Sequence, residues 1–223
     1  MFRTPDKIRT LFDNRSEFGM GTQERRERER QGLRHALLTA TLDLAAEQGW
    51  PAVTVRKVAE RIEYSPSMLY EHFDRKEALL SALLQEGYRR LRVEMEAAVA
   101  AAAGAEARLP ALGRTYWHFA LTNPALYQAM HGLDGVPFTA VENPEIQRIE
   151  RLTGDAIIDL TGDLPAAELI DLIDLLWATL HGMVSLVLAQ QLPGGAERGY
   201  RLIERYLADL IAGLRVRRSS SAQ

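Results

Sequence analysis

The chain contains no cysteine. Disulfides, thiol nucleophiles and thiolate metal sites are excluded together, so the fold must be held by its core alone. With 47% hydrophobic residues in 223, there is enough apolar material for one large or two small domains. Long uncharged apolar runs are also missing. The first 22 residues lack the apolar core of a secretory signal, and no later run of about 18 residues is apolar without interruption by charge. The longest apolar stretch, Leu175 to Ala189, contains His181 and Gly182 and runs into Gln190, Gln191 and Pro193, which predicts a buried helix and no membrane span. A cytoplasmic protein without membrane contact is the expectation.

An excess of charge of one sign is lacking as well. The net charge is -3; residues 1–80 hold 14 Lys and Arg against 13 Asp and Glu, and the rest hold 13 against 17. Bulk charge therefore neither supports nor refutes a nucleic-acid partner; the placement of the cations decides. There is no Gly-rich phosphate loop, no nucleophile elbow and no pair of histidines four apart, so neither a cofactor, a metal nor an enzyme activity is expected.

What is present is helical spacing from one end to the other, with no sustained polar–apolar alternation between hairpin turns, and an all-α fold follows. About nine helices are predicted, at 25–48, 55–62, 66–72, 75–102, 109–121, 124–131, 144–160, 166–191 and 197–214. The first 22 residues, with Pro5, Gly19 and Gly21 among mixed charges, read as a flexible tail, and 216–223 as another. Between them lie a unit at 23–80 and a larger helical unit at 81–215. The run Glu24-Arg25-Arg26-Glu27-Arg28-Glu29-Arg30 reads either as a solvated helix start or as an arm whose arginines reach phosphates. Leu33, Leu37, Thr41, Leu44 and Ala45 recur at helical spacing until Gly49 ends the pattern.

Thr54 to Phe73, TVRKVAERIEYSPSMLYEHF, divides into two short helices. Thr54 is the expected N-cap of the first, with Val55, Val58, Ala59 and Ile62 facing inward while Arg56, Lys57 and Arg61 point away. Ser65 is the expected cap of the second, and Pro66 suits its first turn, where a missing N–H costs little. Two helices joined by about three residues make a helix-turn-helix, whose second helix can enter a DNA major groove about 12 Å wide. Ser67 and Met68 would then read bases. Tyr70 and His72 offer phosphate donors or simply pack the unit, and Lys76 stands where a cation and free helix N–H groups can meet one phosphate.

In these residues the chain resembles the tetracycline-repressor (TetR) family: Thr54-Val55-Arg56 with Ala59, then Ser65, Leu69-Tyr70-x-His72-Phe73 and Lys76-Glu77-x-Leu79-Leu80, with Ala45 and Gly49 upstream. The resemblance implies a homodimer, a three-helix DNA-binding domain holding double-stranded operator DNA, and a larger helical domain for a small-molecule effector and dimerisation. Glu63 departs from the pattern, standing where the family has a turn glycine. A left-handed backbone there would cost a non-glycine residue about 1 kcal/mol, so a differently bent turn is expected.

In the second unit, Trp177, His181 and Gly182 resemble the Trp-His-Gly class of TetR C-terminal domains. Trp177 and His181, four apart, share a helix face read as buried; His181 is either a hydrogen-bonded core residue or an effector contact. Gly182 would let another helix or a ligand approach closely. Tyr116, Trp117, Phe119, Tyr127, Met130 and Trp177 are, with His181, candidate lining of an apolar effector pocket or ordinary core. The last two long helices carry apolar stripes at Leu169, Ile173, Leu176 and Leu180, and at Leu202, Ile203, Leu207 and Leu210, suited to a four-helix dimer interface. Function therefore reads as a ligand-responsive regulator, by default a repressor released from a palindromic operator. The alternatives are a helical ligand-binding protein that has lost DNA, or an enzyme using the DxxD-like pair Asp171 and Asp174.

Overall fold

The structure, a computed structural model, describes residues 9–65, 73, 76–133, 136 and 143–221, the side chains of 9–20, 22, 76 and 217–221 excepted. Among the described residues there are eight α-helices, one 3-10 turn and no strand, as the all-α reading requires. The helix expected at 66–72 lies outside the described residues. The chain divides after Leu79 into two compact units.

The first unit begins with α1, Arg9–Gln48, followed by the 3-10 turn Trp50–Ala52 and α2, Val55–Arg61. Helix α1 starts well before residue 25, inside the segment read as a tail. Once its second half is nucleated by packing, each further residue adds a hydrogen bond without a new nucleation cost. Arg25 also pairs with Glu29 at 3.5 Å, and Arg28 Nε donates to the Glu24 carbonyl at 3.3 Å. Each of these contacts is worth about 0.3–0.5 kcal/mol, against a cost of about 1 kcal/mol for each of Gly19 and Gly21 relative to alanine, so helix propagation carries most of the extension. Leu37, Leu44, Trp50, Val53, Val58 and Phe73 form a small core, in which the buried Thr41 hydroxyl donates to the Leu37 carbonyl at 2.7 Å. Arg61 of α2 binds the Glu47 carboxylate of α1 through both guanidinium nitrogens, tying the two helices together.

The second unit contains most of α3, Lys76–Ala100, then α4 (Ala105–Thr122), α5 (Pro124–His131), α6 (Pro144–Thr161), α7 (Ala166–Leu188) and α8 (Gly195–Ser221). Helix α8 continues past 214 into the segment read as a second tail. Sequence punctuation sets the ends. Asn123 closes α4 by donating from Nδ2 to the Phe119 carbonyl at 3.0 Å, and Pro124 opens α5. Gly132, left-handed at φ 63°, ends α5. The Asn143 side chain accepts from the Glu145 N–H at 2.9 Å to cap α6. Helix α4 packs against α5, α6, α7 and α8. Gly113 makes this possible on one side, since a Cβ there would sit 2.7 Å from Leu207 Cδ1 of α8.

Two interface expectations change here. Leu176, Leu180, Ile203 and Leu207 are buried within the protomer and cannot meet a partner. Leu175 and Leu186, 62% and 40% exposed, share a bare face of α7, while Trp177, 46% exposed, lies on the opposite side of the core stripe, so the reading of Leu175 to Ala189 as a buried helix is corrected. The cause is the rotation of about 100° per residue, which lets one helix carry a core stripe and a second apolar stripe. By length and composition α7 is also apolar enough to cross a membrane, but its inner face is sealed by the rest of the unit.

Candidate functional site

In the first unit, Thr54 has extended backbone and its hydroxyl accepts from the Lys57 N–H at 3.3 Å, so the start of α2 is fixed by its own sequence. At the other end Glu63 has φ 59°. The Tyr64 N–H donates to the Ala59 carbonyl at 3.0 Å and the Glu63 N–H to the Glu60 carbonyl at 3.2 Å, a Schellman closure. The expectation of a differently bent turn is therefore corrected: the left-handed turn is kept, with glutamate in it. Arg56 is exposed and pairs with Glu60 at 2.7 Å, while Lys57 Nζ donates to Gln48 Oε1 at 2.9 Å. Exposed pairs of this kind are worth at most about 1 kcal/mol, so a phosphate can replace Glu60 at little cost. Ser65 is exposed. Pro66, Ser67, Met68, Tyr70, His72 and the side chain of Lys76 lie outside the described residues.

The second unit holds a partly open cavity of about 320 Å³ between α3, α4, α6 and α7. Its wall is mainly apolar. Tyr88, Leu91 and Met95 come from α3, Leu112 and Tyr116 from α4, Ile149 and Thr153 from α6, and Ile173, Leu176 and Trp177 from α7. His131, at the end of α5, completes it with its Nε2 buried and without a hydrogen-bond partner among the described residues. Burial, reinforced by the neighbouring His181, pushes the His131 pKa down to about 3, so the ring is neutral. Glu150 and Asp174, both exposed, stand at the mouth.

Behind the wall runs a polar relay. The hydroxyls of Tyr116 and Tyr127 are 2.8 Å apart, Tyr127 Oη is 2.7 Å from His181 Nδ1, and His181 Nε2 is 3.4 Å from Ser185 Oγ. Burial lowers the His181 pKa and raises that of Tyr127, which keeps both groups uncharged. The Trp177 indole stacks on His181 at 5.0 Å with planes 6° apart, and His131 lies 4.7 Å from His181.

Of the pocket candidates read from sequence, Tyr116 and Trp177 line the cavity. Phe119, Tyr127 and Met130 are core, each at most 1% exposed, and His181 is held in the relay. Trp117 faces another way, toward Tyr200 at 6.3 Å, where Gly199 leaves it room. Successive helical residues are about 100° apart, so consecutive aromatics cannot share one wall. The residues missed by that reading, Tyr88-Leu91-Met95 and Ile146-Ile149-Thr153, follow three- and four-residue spacings, which mark a face but do not distinguish cavity from core. His131 and His181 are brought together, whereas His118 packs on Tyr200 at 5.6 Å. Among the described residues no group of three or more Asp, Glu and His could hold a metal. Gly182 has open space around it within the protomer, so nothing in this chain uses the close approach expected there.

Residues 37–83 match the family model for bacterial regulatory proteins of the tetR family, and residues 109–210 that for the tetracyclin repressor-like C-terminal domain. The chain belongs to the TetR family of transcriptional regulators. Similar TetR-family proteins include the HTH-type transcriptional repressor KstR of Mycolicibacterium smegmatis, 32% identical over 52% of this chain and 54% of its own length. The HTH-type transcriptional regulator BetI of Rhizobium meliloti is 27% identical over 78% of this chain and 87% of its own. Among solved structures, a protein of unknown function from Rhodococcus sp. RHA1 superposes with a TM-score of 0.63 at 26% identity, covering 79% of this chain and 94% of that one. The TetR regulator PfmR of Thermus thermophilus shares the fold, with a TM-score of 0.60 at 19% identity over 78% and 96% of the two chains.

Proposed function

We propose that this TetR-family chain is a cytoplasmic, dimeric repressor that releases operator DNA when a small amphipathic molecule enters the second unit, and that it is not an enzyme. The observation that carries the reading is the cavity itself, an apolar space of about 320 Å³ with a few convergent polar groups in a chain that also holds a helix-turn-helix sequence. Thr54, Arg56, Ser65 and Lys76 position the protein on phosphates, and Ser67 and Met68 read bases beside Tyr70 and His72. Dimerisation uses the bare face of α7, where Leu175 and Leu186 flank Ala178 and Gly182.

Helix α3 is the transmission element. It supplies Tyr88, Leu91 and Met95 to the cavity, and the same helix runs back to Lys76. A ligand that pushes on those three side chains pivots α3 and changes the spacing of the recognition helices, which must lie about 34 Å apart to engage successive turns of DNA. The test is release of retained genomic DNA fragments by fractions of a small-molecule extract, comparing the wild type with Ile149→Trp, which fills the cavity. A fraction that releases the wild type and leaves the variant bound supports the proposal. Release of both alike, or of neither by any fraction, contradicts it.

A further inference from the structure

The charge at the cavity mouth names the class of ligand. Among the described lining residues there is no Lys or Arg, while Glu150 and Asp174 both face the opening. Neither carboxylate has an ion-pair partner among the described residues. Three other acids of the same unit do have partners, Glu145 with Arg92, Asp159 with Arg108, and Glu204 with Arg114. A shallower depression between α6 and α7, of about 480 Å³, shares Glu150, Ile173 and Asp174 with the cavity and adds Asp155 against a single cation, Arg151. The rim therefore carries three carboxylates and one guanidinium.

The interior continues the same preference. The Tyr88, Tyr116 and Trp177 rings line the space, and their electron-rich faces attract cations but not anions. The neutral His131 offers no positive charge to a carboxylate or phosphate.

We propose that the effector is a lipophilic cation, an amine or quaternary ammonium whose apolar body fills the cavity while its charge rests at Glu150 and Asp174. This rests on the reading of the cavity as the effector site. An acyl chain with a free carboxylate or phosphate is disfavoured by the same carboxylates, against which the rim sets the single cation Arg151.

The test uses three probes of equal chain length in calorimetric titration of the full protein: octyltrimethylammonium, octanol and octanoate. The cation is expected to bind at least about tenfold more tightly than octanoate, a preference that Glu150→Gln with Asp174→Asn abolishes while leaving octanol binding unchanged. These two side chains are exposed, so the double variant is expected to fold, which circular dichroism checks. Octanol binding with no preference for the cation overturns the proposal but keeps the cavity as the effector site. Failure of all three probes to bind overturns the cavity reading and the proposal with it.

Discussion

Tyr127 Oη lies 2.7 Å from His181 Nδ1, joining α5 to α7 through a hydrogen bond between two uncharged side chains. Tyr127 also meets the Tyr116 hydroxyl and is the middle of the relay. Removing the middle strands two buried polar groups, whereas removing the end strands one. Tyr127→Phe is therefore expected to destabilise the protein by about 1–3 kcal/mol and Tyr116→Phe by about 1 kcal/mol. Urea unfolding of both variants checks the order. Equal effects would mean that the relay is not a chain of bonds.

Glu63 holds φ 59° with an exposed side chain. Nothing is lost by removing that side chain, and the left-handed strain is relieved, so Glu63→Gly should raise the stability of the first unit by about 1 kcal/mol. Thermal unfolding measures it. An unchanged or lower midpoint would show that the turn is not strained.

A Cβ on Gly199 would lie 2.5 Å from Trp117 Cη2 and 3.0 Å from Val187 Cγ2. Trp117 is buried and cannot swing away, so Gly199→Ala should cost about 1–3 kcal/mol by overpacking. At Gly182 the space is open and the residue is helical, so the same change in an isolated protomer is neutral or favourable by up to about 1 kcal/mol. Urea midpoints of the two variants, measured side by side, check the contrast.

His131 is neutral in the folded chain well below the pH at which an unfolded histidine takes up a proton, about 6.5. Below that pH the unfolded chain binds more protons than the folded one, so stability falls as the pH drops from about 6.5 toward 3. The slope from this group is at most about 1.4 kcal/mol per pH unit. Denaturant midpoints between pH 7 and 5 should show the fall, and His131→Gln should flatten it. A variant with the wild-type slope would assign the effect to other groups.

Leu186, exposed on α7, is a side chain the proposed dimer buries. Leu186→Glu should weaken dimerisation at least about tenfold, seen as a shift toward monomer in analytical ultracentrifugation. A variant that sediments as the wild type would move the interface elsewhere.

The helices were legible because amphipathic periodicity and caps such as Thr54, Asn143 and Gly132 act locally. Their extent was less so: α1 reaches back to Arg9 because a packed helix extends through poor formers, which local composition does not reveal. In the site, the aromatic types were readable but their walls were not. Tyr116 and Trp117 are neighbours in sequence and point into different surroundings, one to the cavity and one to Tyr200. The opposite holds for Glu150 and Asp174, which meet at one opening only because α6 and α7 pack side by side.

The central claim is that the chain reads an operator, and selection of bound genomic fragments by the purified protein across a salt series tests it most directly. The account predicts a two-fold symmetric site, lost with Ser67→Ala and bound more weakly as salt rises. A folded protein that enriches no sequence at any salt would contradict it.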